Sequence, residues 1–157
     1  MRRKDREVTE LAQIEEILEK GKVVHLGMID GDFPYIVPLN YGYQWQNEQL
    51  ILYMHGSKAG RKFDVIAHNP NVFIEITADV EAIDGGDNPC KYSTAFGSLM
   101  GEGQAYIVTD SQEKIRAMEC LMKTQTNRNF EFDEKMFGRV QVIKVIIQNY
   151  SAKRHEK

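Results

Sequence analysis

With 157 residues, 42% of them hydrophobic and 27% charged, the chain makes one globular domain with a sizeable core and has no room for a second. A formal charge of −3 argues against general nucleic-acid affinity, although Arg2, Arg3, Lys4 and Arg6 form a local basic arm. Cys90 and Cys120 make no Cys-x-x-Cys pair and join no His/Cys cluster at zinc spacing, so neither a disulfide framework nor a structural metal is expected.

Thr9 reads as the N-cap of a first helix. Leu11, Ile14, Ile17 and Leu18 recur there at helical spacing, Glu10, Glu15 and Glu16 lie outside, and Gly21 stops the helix at C′. Val23 to Ile29 predicts a strand that runs into Asp30-Gly31, a tight-turn signal, with Tyr35 to Tyr43 as the return strand. Pro34 and Pro38 each remove a backbone donor and confine parts of that strand to edge or bulged positions. Gln44 to Gln49 is turn-like around Asn47, and Leu50 to Met54 is a third strand. Lys62 to His68 carries Phe63, Val65 and Ile66, enough for a short helix, which Asn69-Pro70-Asn71 ends before a strand at Val72 to Ile76. Asp79 to Asn88 is polar and reads as a mobile loop. Strand character resumes over Tyr92 to Met100 and Gly103 to Val108. The glycines at 97, 101 and 103 point to bulges or to close approach of a ligand to backbone. Asp110-Ser111-Gln112-Glu113 opens a helix as a capping box, with Ile115, Met118, Leu121 and Met122 inward. Val140 to Ile147 closes a domain of residues 1–150, and 151–157 is a polar tail expected to fray.

About six strands joined by hairpin-length turns, with two or three helices, predict a mainly β fold: an antiparallel barrel with helical attachments. Repeated strand-helix-strand units are missing, and Gly101-Glu102-Gly103 does not open a helix, so a Rossmann fold is excluded. No apolar run reaches membrane-spanning length, and no apolar segment backs the N-terminal charges to make a signal peptide. The expected compartment is a reducing cytoplasm.

The stretch that carries chemistry is His55-Gly56-Ser57-Lys58-Ala59-Gly60-Arg61-Lys62, between a strand and a short helix. Small residues let backbone approach an anion, while Ser57, Lys58, Arg61, Lys62 and the free N–H groups of the next helix supply donors and charge. Its spacing is not that of a Walker A loop, so a nucleoside triphosphate is not the leading ligand. A solvated cationic turn is the competing reading.

Three segments carry a family resemblance: Pro34-Tyr35-Ile36-Val37-Pro38-Leu39-Asn40-Tyr41-Gly42-Tyr43, Leu52 to Lys62, and Asn69-Pro70-Asn71-Val72. In that order they resemble the flavin-binding split-barrel superfamily of pyridoxamine 5′-phosphate oxidase. Met1 to Val8 and Tyr92 to Gly103 resemble its nitroimidazole-resistance branch. The resemblance implies a six-stranded split barrel of Greek-key character and a homodimer binding FMN at the subunit interface. The activity implied is an FMN-dependent oxidoreductase, in which a nicotinamide or other donor charges the flavin and a small planar acceptor such as a nitroheterocycle discharges it. Carried over by position, Ser57, Lys58, Arg61 and Lys62 hold the phosphate, and Val37, Pro38, Leu39 and Asn40 lie along the ring. Tyr92, Ser93 and Ser98 form the partner-side contact, and His55 is the candidate catalytic proton donor. The basic arm is a candidate to reach the partner subunit or its FMN.

Other readings stay open: a pyridoxamine 5′-phosphate oxidase proper, a non-enzymatic flavin- or haem-binding module, and FAD or a deazaflavin in place of FMN. His25 and His68 read as structural, and His155 as a tail residue without a specific role. Tyr35, Tyr41, Tyr43, Trp45 and Tyr53 either pack the core or line a planar pocket.

Overall fold

Leu50 to Met54 shows no polar alternation because both faces of its strand are covered. Leu50, Leu52 and Met54 enter a core shared with Leu26, Ile74, Leu99 and Val145, whereas Ile51 and Tyr53 meet Val108, Ala117 and Val142 on the other side. The computed structural model describes residues 3–157. Its elements are β1 (Glu7–Val8), α1 (Leu11–Lys20), β2 (Val23–Asp30), β3 (Phe33–Gln46), β4 (Gln49–Ser57), α2 (Arg61–His68), β5 (Asn71–Ile83), β6 (Ser93–Val108), α3 (Ser111–Thr126) and β7 (Val140–His155). The sheet runs β1-β7-β4-β3-β2-β5-β6, and β6 also pairs with β7. Six strands therefore close an antiparallel barrel, and the two-residue β1 adds to β7 from outside. β2, β3 and β4 follow one another by hairpins, and α2 returns the chain so that β5 lies beside β2, which is a Greek key.

The two hairpin turns follow local chemistry. Gly31 has φ 63°, and in the β3–β4 turn Asn47 and Glu48 have φ 49° and 65°, the left-handed pair that right-twisted strands require. Pairing of β3 changes hands midway. Phe33 to Asn40 pairs only with β2, and Tyr41 to Gln46 pairs with β4. Pro34 and Pro38 both fall in the half that has no neighbour on the β4 side, as their missing donors demand.

Several local expectations are corrected. Pairing of Glu7 and Val8 with Lys153 and Ala152 keeps the chain extended, so α1 is capped at Glu10 rather than Thr9, and no side chain bonds its N-terminus. Leu11 is exposed, and the buried face of α1 is Ile14, Ile17 and Leu18. Gly21 stays right-handed at φ −66°, while Lys22 takes φ 47°. The glycine is needed for space, because a Cβ there would run into Ile76 and the Tyr41 hydroxyl. The expected loop at Asp79 is strand as far as Ile83, past a bulge at which Asp79 takes φ 54° and pairs with Lys20 at 2.9 Å. Strand β6 is uninterrupted. What approaches Gly101 and Gly103 closely is the backbone of β7 at its own bulge, not a ligand. The segment from Ser151 is sheet, since β7 continues to His155, whose Nδ1 lies 2.7 Å from the Thr94 carbonyl oxygen.

Helix α3 lies across β3 and β4. The Asp110 carboxylate accepts from the Glu113 N–H at 2.7 Å, but the Glu113 side chain turns to Lys144 at 2.7 Å, so only half of the capping box forms. The fully buried α3 residues are Ala117 and Leu121, whereas Ile115, Met118 and Met122 are half-buried. Replacing Asp110 with alanine leaves one first-turn donor without its cap and is expected to lower stability by about 1 kcal/mol, read from the midpoint of chemical unfolding.

Candidate functional site

The change of hands in β3 opens the barrel wall. Past Tyr41–Met54 the two strands part: His55, Gly56 and Ser57 pair with Val142, Gln141 and Val140 of β7, while Asn40 and the residues before it stay with β2. Tyr43 N–H donates to Thr124 Oγ1, and Tyr41 C=O accepts from Gln125, both on the side away from β4. By strand parity the odd residues turn their backbone groups from the split and the even ones turn theirs towards it. The free groups facing the split are therefore the carbonyls of Pro34, Ile36 and Pro38 and the N–H groups of Ile36 and Asn40, the Asn40 carbonyl closing the last rung beside Tyr41–Met54. Pro38 and Asn40 present backbone, while Val37 and Leu39 send half-buried side chains against the core. The Asn40 side chain is committed elsewhere, donating at 3.2 Å to both the Lys22 carbonyl and Gln125 Oε1.

The cationic stretch lines the opposite lip. Ser57 Oγ donates to the Ala59 carbonyl at 2.9 Å and tightens the turn. Gly60 has φ 153° and precedes α2, whose first turn has no side-chain cap, so its leading N–H groups are open to a ligand. Lys58 is exposed and forms no ion pair among the described residues. Lys62 Nζ lies 4.7 Å from the centre of the Phe63 ring and folds over Gly56, where a Cβ would come within 2.9 Å of it. Arg61 Nε donates to Asp30 Oδ2 at 2.6 Å, and its guanidinium lies 4.5 Å from the centre of the Tyr35 ring. The structure thus brings Ser57, Lys58, Arg61 and Lys62 to one lip of the split and the backbone of residues 37–40 to the other.

His55 sits at the root of the split, half-buried, with Nδ1 buried and without a partner. Burial, and then the Lys62 charge, hold its pKa below the usual 6.5. The ring is neutral at pH 7. The unfolded chain takes up this proton near pH 6.5 and the folded chain only lower, so His55 costs stability as pH falls from about 6.5 through the folded value. His55→Gln is expected to flatten that part of the stability–pH curve, leaving the region above pH 7 unchanged, as unfolding midpoints across pH would show.

Tyr92, Ser93 and Ser98 are not part of this constellation within one chain. Ser98 pairs with Lys153, whereas Val108, ten residues along β6, pairs with Val142 beside the cradle, a separation of roughly 33 Å at about 3.3 Å per residue. Of the basic arm, Arg2 lies outside the described residues; Arg3 pairs with Asp5 at 2.6 Å, at the same far end of the barrel. On the outer face, Ile29, Ile36, Phe73 and Met100 line an open depression of about 660 Å³. Ile36 is 61% exposed there and Phe73 48%. His25 is on this face and lies 2.8 Å from Glu75. Tyr41 is core, its hydroxyl donating to the Leu18 carbonyl at 2.6 Å. Cys120 donates to the Tyr43 carbonyl, and burial pushes its pKa to about 11, so it is no nucleophile.

Sequence reasoning missed Asp30 and Gln125. The first was read only as turn chemistry, and the second was not singled out at all. Their roles arise from contacts spanning 31 and 85 residues, for which the local sequence holds no signal.

Among the described residues no helix is long and apolar enough to cross a membrane. A family model described as pyridoxamine 5′-phosphate oxidase matches residues 10–154. No curated protein sequence matches the chain. Among solved structures, the chain is similar to a candidate 5-nitroimidazole antibiotic resistance protein from Bacteroides thetaiotaomicron, at 26% identity and TM-score 0.78, covering 94% of this chain and 86% of that one. It shares its fold with a flavocytochrome from Azotobacter vinelandii (19%, TM-score 0.77, 100% and 72% covered) and with an FAD- and haem-binding protein from Mycobacterium smegmatis (15%, TM-score 0.78, 97% and 74% covered).

Proposed function

Because the chain belongs to the pyridoxamine 5′-phosphate oxidase family, we propose that it is an FMN-dependent oxidoreductase that reduces a small planar acceptor of the nitroimidazole type. The observation that carries this reading is the juxtaposition across the split of an anion cradle and an open strand edge. A phosphate monoester carries nearly two negative charges and needs clustered cations and N–H donors, which Lys58, Arg61, Lys62 and the start of α2 supply. A flavin ring needs a flat slot with a few backbone partners, which the free groups of Pro38 and Asn40 supply. The unpartnered Nδ1 of His55 fits a polar ligand at the root of the split. The names of the similar structures, one linked to nitroimidazole resistance and two to flavins, support the same class.

When bound, the flavin supplies two-electron redox chemistry; the chain holds it, orients it and limits water. His55, neutral at pH 7, offers an N–H hydrogen bond to the acceptor, and the protons taken up on its reduction come from solvent. We propose the homodimer as the working state. The apolar outer face around Ile36 and Phe73 favours a second copy, and only a second copy brings Tyr92, Ser93 and Ser98 to a cradle. The purified protein is expected to be yellow, to release FMN near one per subunit on acid treatment, and to elute as a dimer. A colourless protein that fails to take up added FMN would overturn the reading.

A further inference from the structure

The cradle's Arg61 is held from two sides by residues outside the cradle. Its Nε donates to Asp30 at the tip of the β2–β3 hairpin, and its face lies on Tyr35 from the same hairpin. Among the described residues neither Nη group has a hydrogen bond within the chain. An arginine is a planar fork of five donors. With one edge fixed by a carboxylate and one face by a ring, it still presents the remaining edge to a ligand. Without those holds, a side chain 63% exposed samples many rotamers, and binding has to order it.

We propose that Asp30 and Tyr35 are positioning residues of the anion site, which fix the Arg61 guanidinium so that its Nη edge meets a phosphate monoester. Asp30 also offsets one of the three cradle charges, that of Arg61. The inference rests on the flavin reading above, since FMN supplies the monoester. A contrary role is that Asp30 merely competes with the phosphate for Arg61, in which case removing it strengthens binding.

The test is titration of FMN and of riboflavin, which lacks the phosphate, into wild type, Asp30→Asn, Tyr35→Leu and Arg61→Ala, followed by flavin fluorescence, with a thermal melt of each variant. Wild type is expected to prefer FMN strongly. Asp30→Asn and Tyr35→Leu are expected to weaken FMN about 2- to 12-fold, the scale of ordering one long side chain on binding, and to leave riboflavin unchanged. Adding Asp30→Asn to Arg61→Ala is expected to cost nothing more, because the carboxylate acts through the guanidinium. Unchanged or tighter FMN binding by Asp30→Asn overturns the positioning role while leaving the cradle standing. Equal affinity of wild type for FMN and riboflavin overturns the cradle and this inference together. If Tyr35→Leu fails to fold, Asp30→Asn alone decides.

Discussion

Gly42→Ala is expected to lower stability by about 3 kcal/mol, at the upper end of overpacking costs. A Cβ at Gly42 would fall on the backbone of Leu121 and within 2.6 Å of the Cys120 carbonyl carbon. A backbone cannot swing aside as a side-chain end can, so α3 has to lift from β3. Lifting it breaks the Gln125 bond to the Tyr41 carbonyl at 2.7 Å and the Cys120 bond to Tyr43, and it opens the small core of Ile51, Tyr53, Ala117 and Val142. Guanidinium unfolding should show a lower midpoint with an unchanged slope. A wild-type midpoint would mean that α3 does not sit on Gly42. The same lift frees Gln125 from Asn40, so flavin affinity is expected to fall with stability.

Lys58→Ala combined with Arg61→Ala is expected to weaken FMN by at least about 100-fold and riboflavin hardly at all. Hydrogen bonds to charged groups contribute about 1.5–3 kcal/mol each, and about 1.4 kcal/mol is tenfold in affinity. Lys62, leaning over Gly56 and Phe63, is left as the remaining cradle cation. Both replaced side chains are exposed, so the double variant should melt within a degree or two of wild type. Retention of FMN over riboflavin at the wild-type ratio would place the phosphate elsewhere.

Features set by neighbours in sequence were legible, and features set by a distant partner were not. Asp30-Gly31 and Asn47 mark their hairpins because turn chemistry is local, and the cradle stands out because its residue types are contiguous. The two prolines even located the free half of β3. Asp79 to Ile83 was missed as strand because it is mostly exposed and runs into the polar stretch to Asn88, and Ser151 to His155 because all but the buried Ala152 are polar; each is held by pairing with β6. A polar strand and a polar loop have the same composition, and only the partner tells them apart. In the same way Asp30 looked like a turn residue until the hairpin carried it to Arg61.

The split also sets a hazard that the chain contains by its own composition. A strand edge with unpaired donors and acceptors is a template on which another chain can add, and the residues 33–40 include Phe33 and Ile36, exposed at 74% and 61%. Two of the four even positions that face the opening are prolines, so an incoming strand would find acceptors there without the alternating donors it needs for a ladder. Replacing Pro34 and Pro38 would keep the same carbonyls available to a ligand and complete the ladder for an intruder. The prolines let the barrel wall stand open to a small molecule while keeping it closed to aggregation.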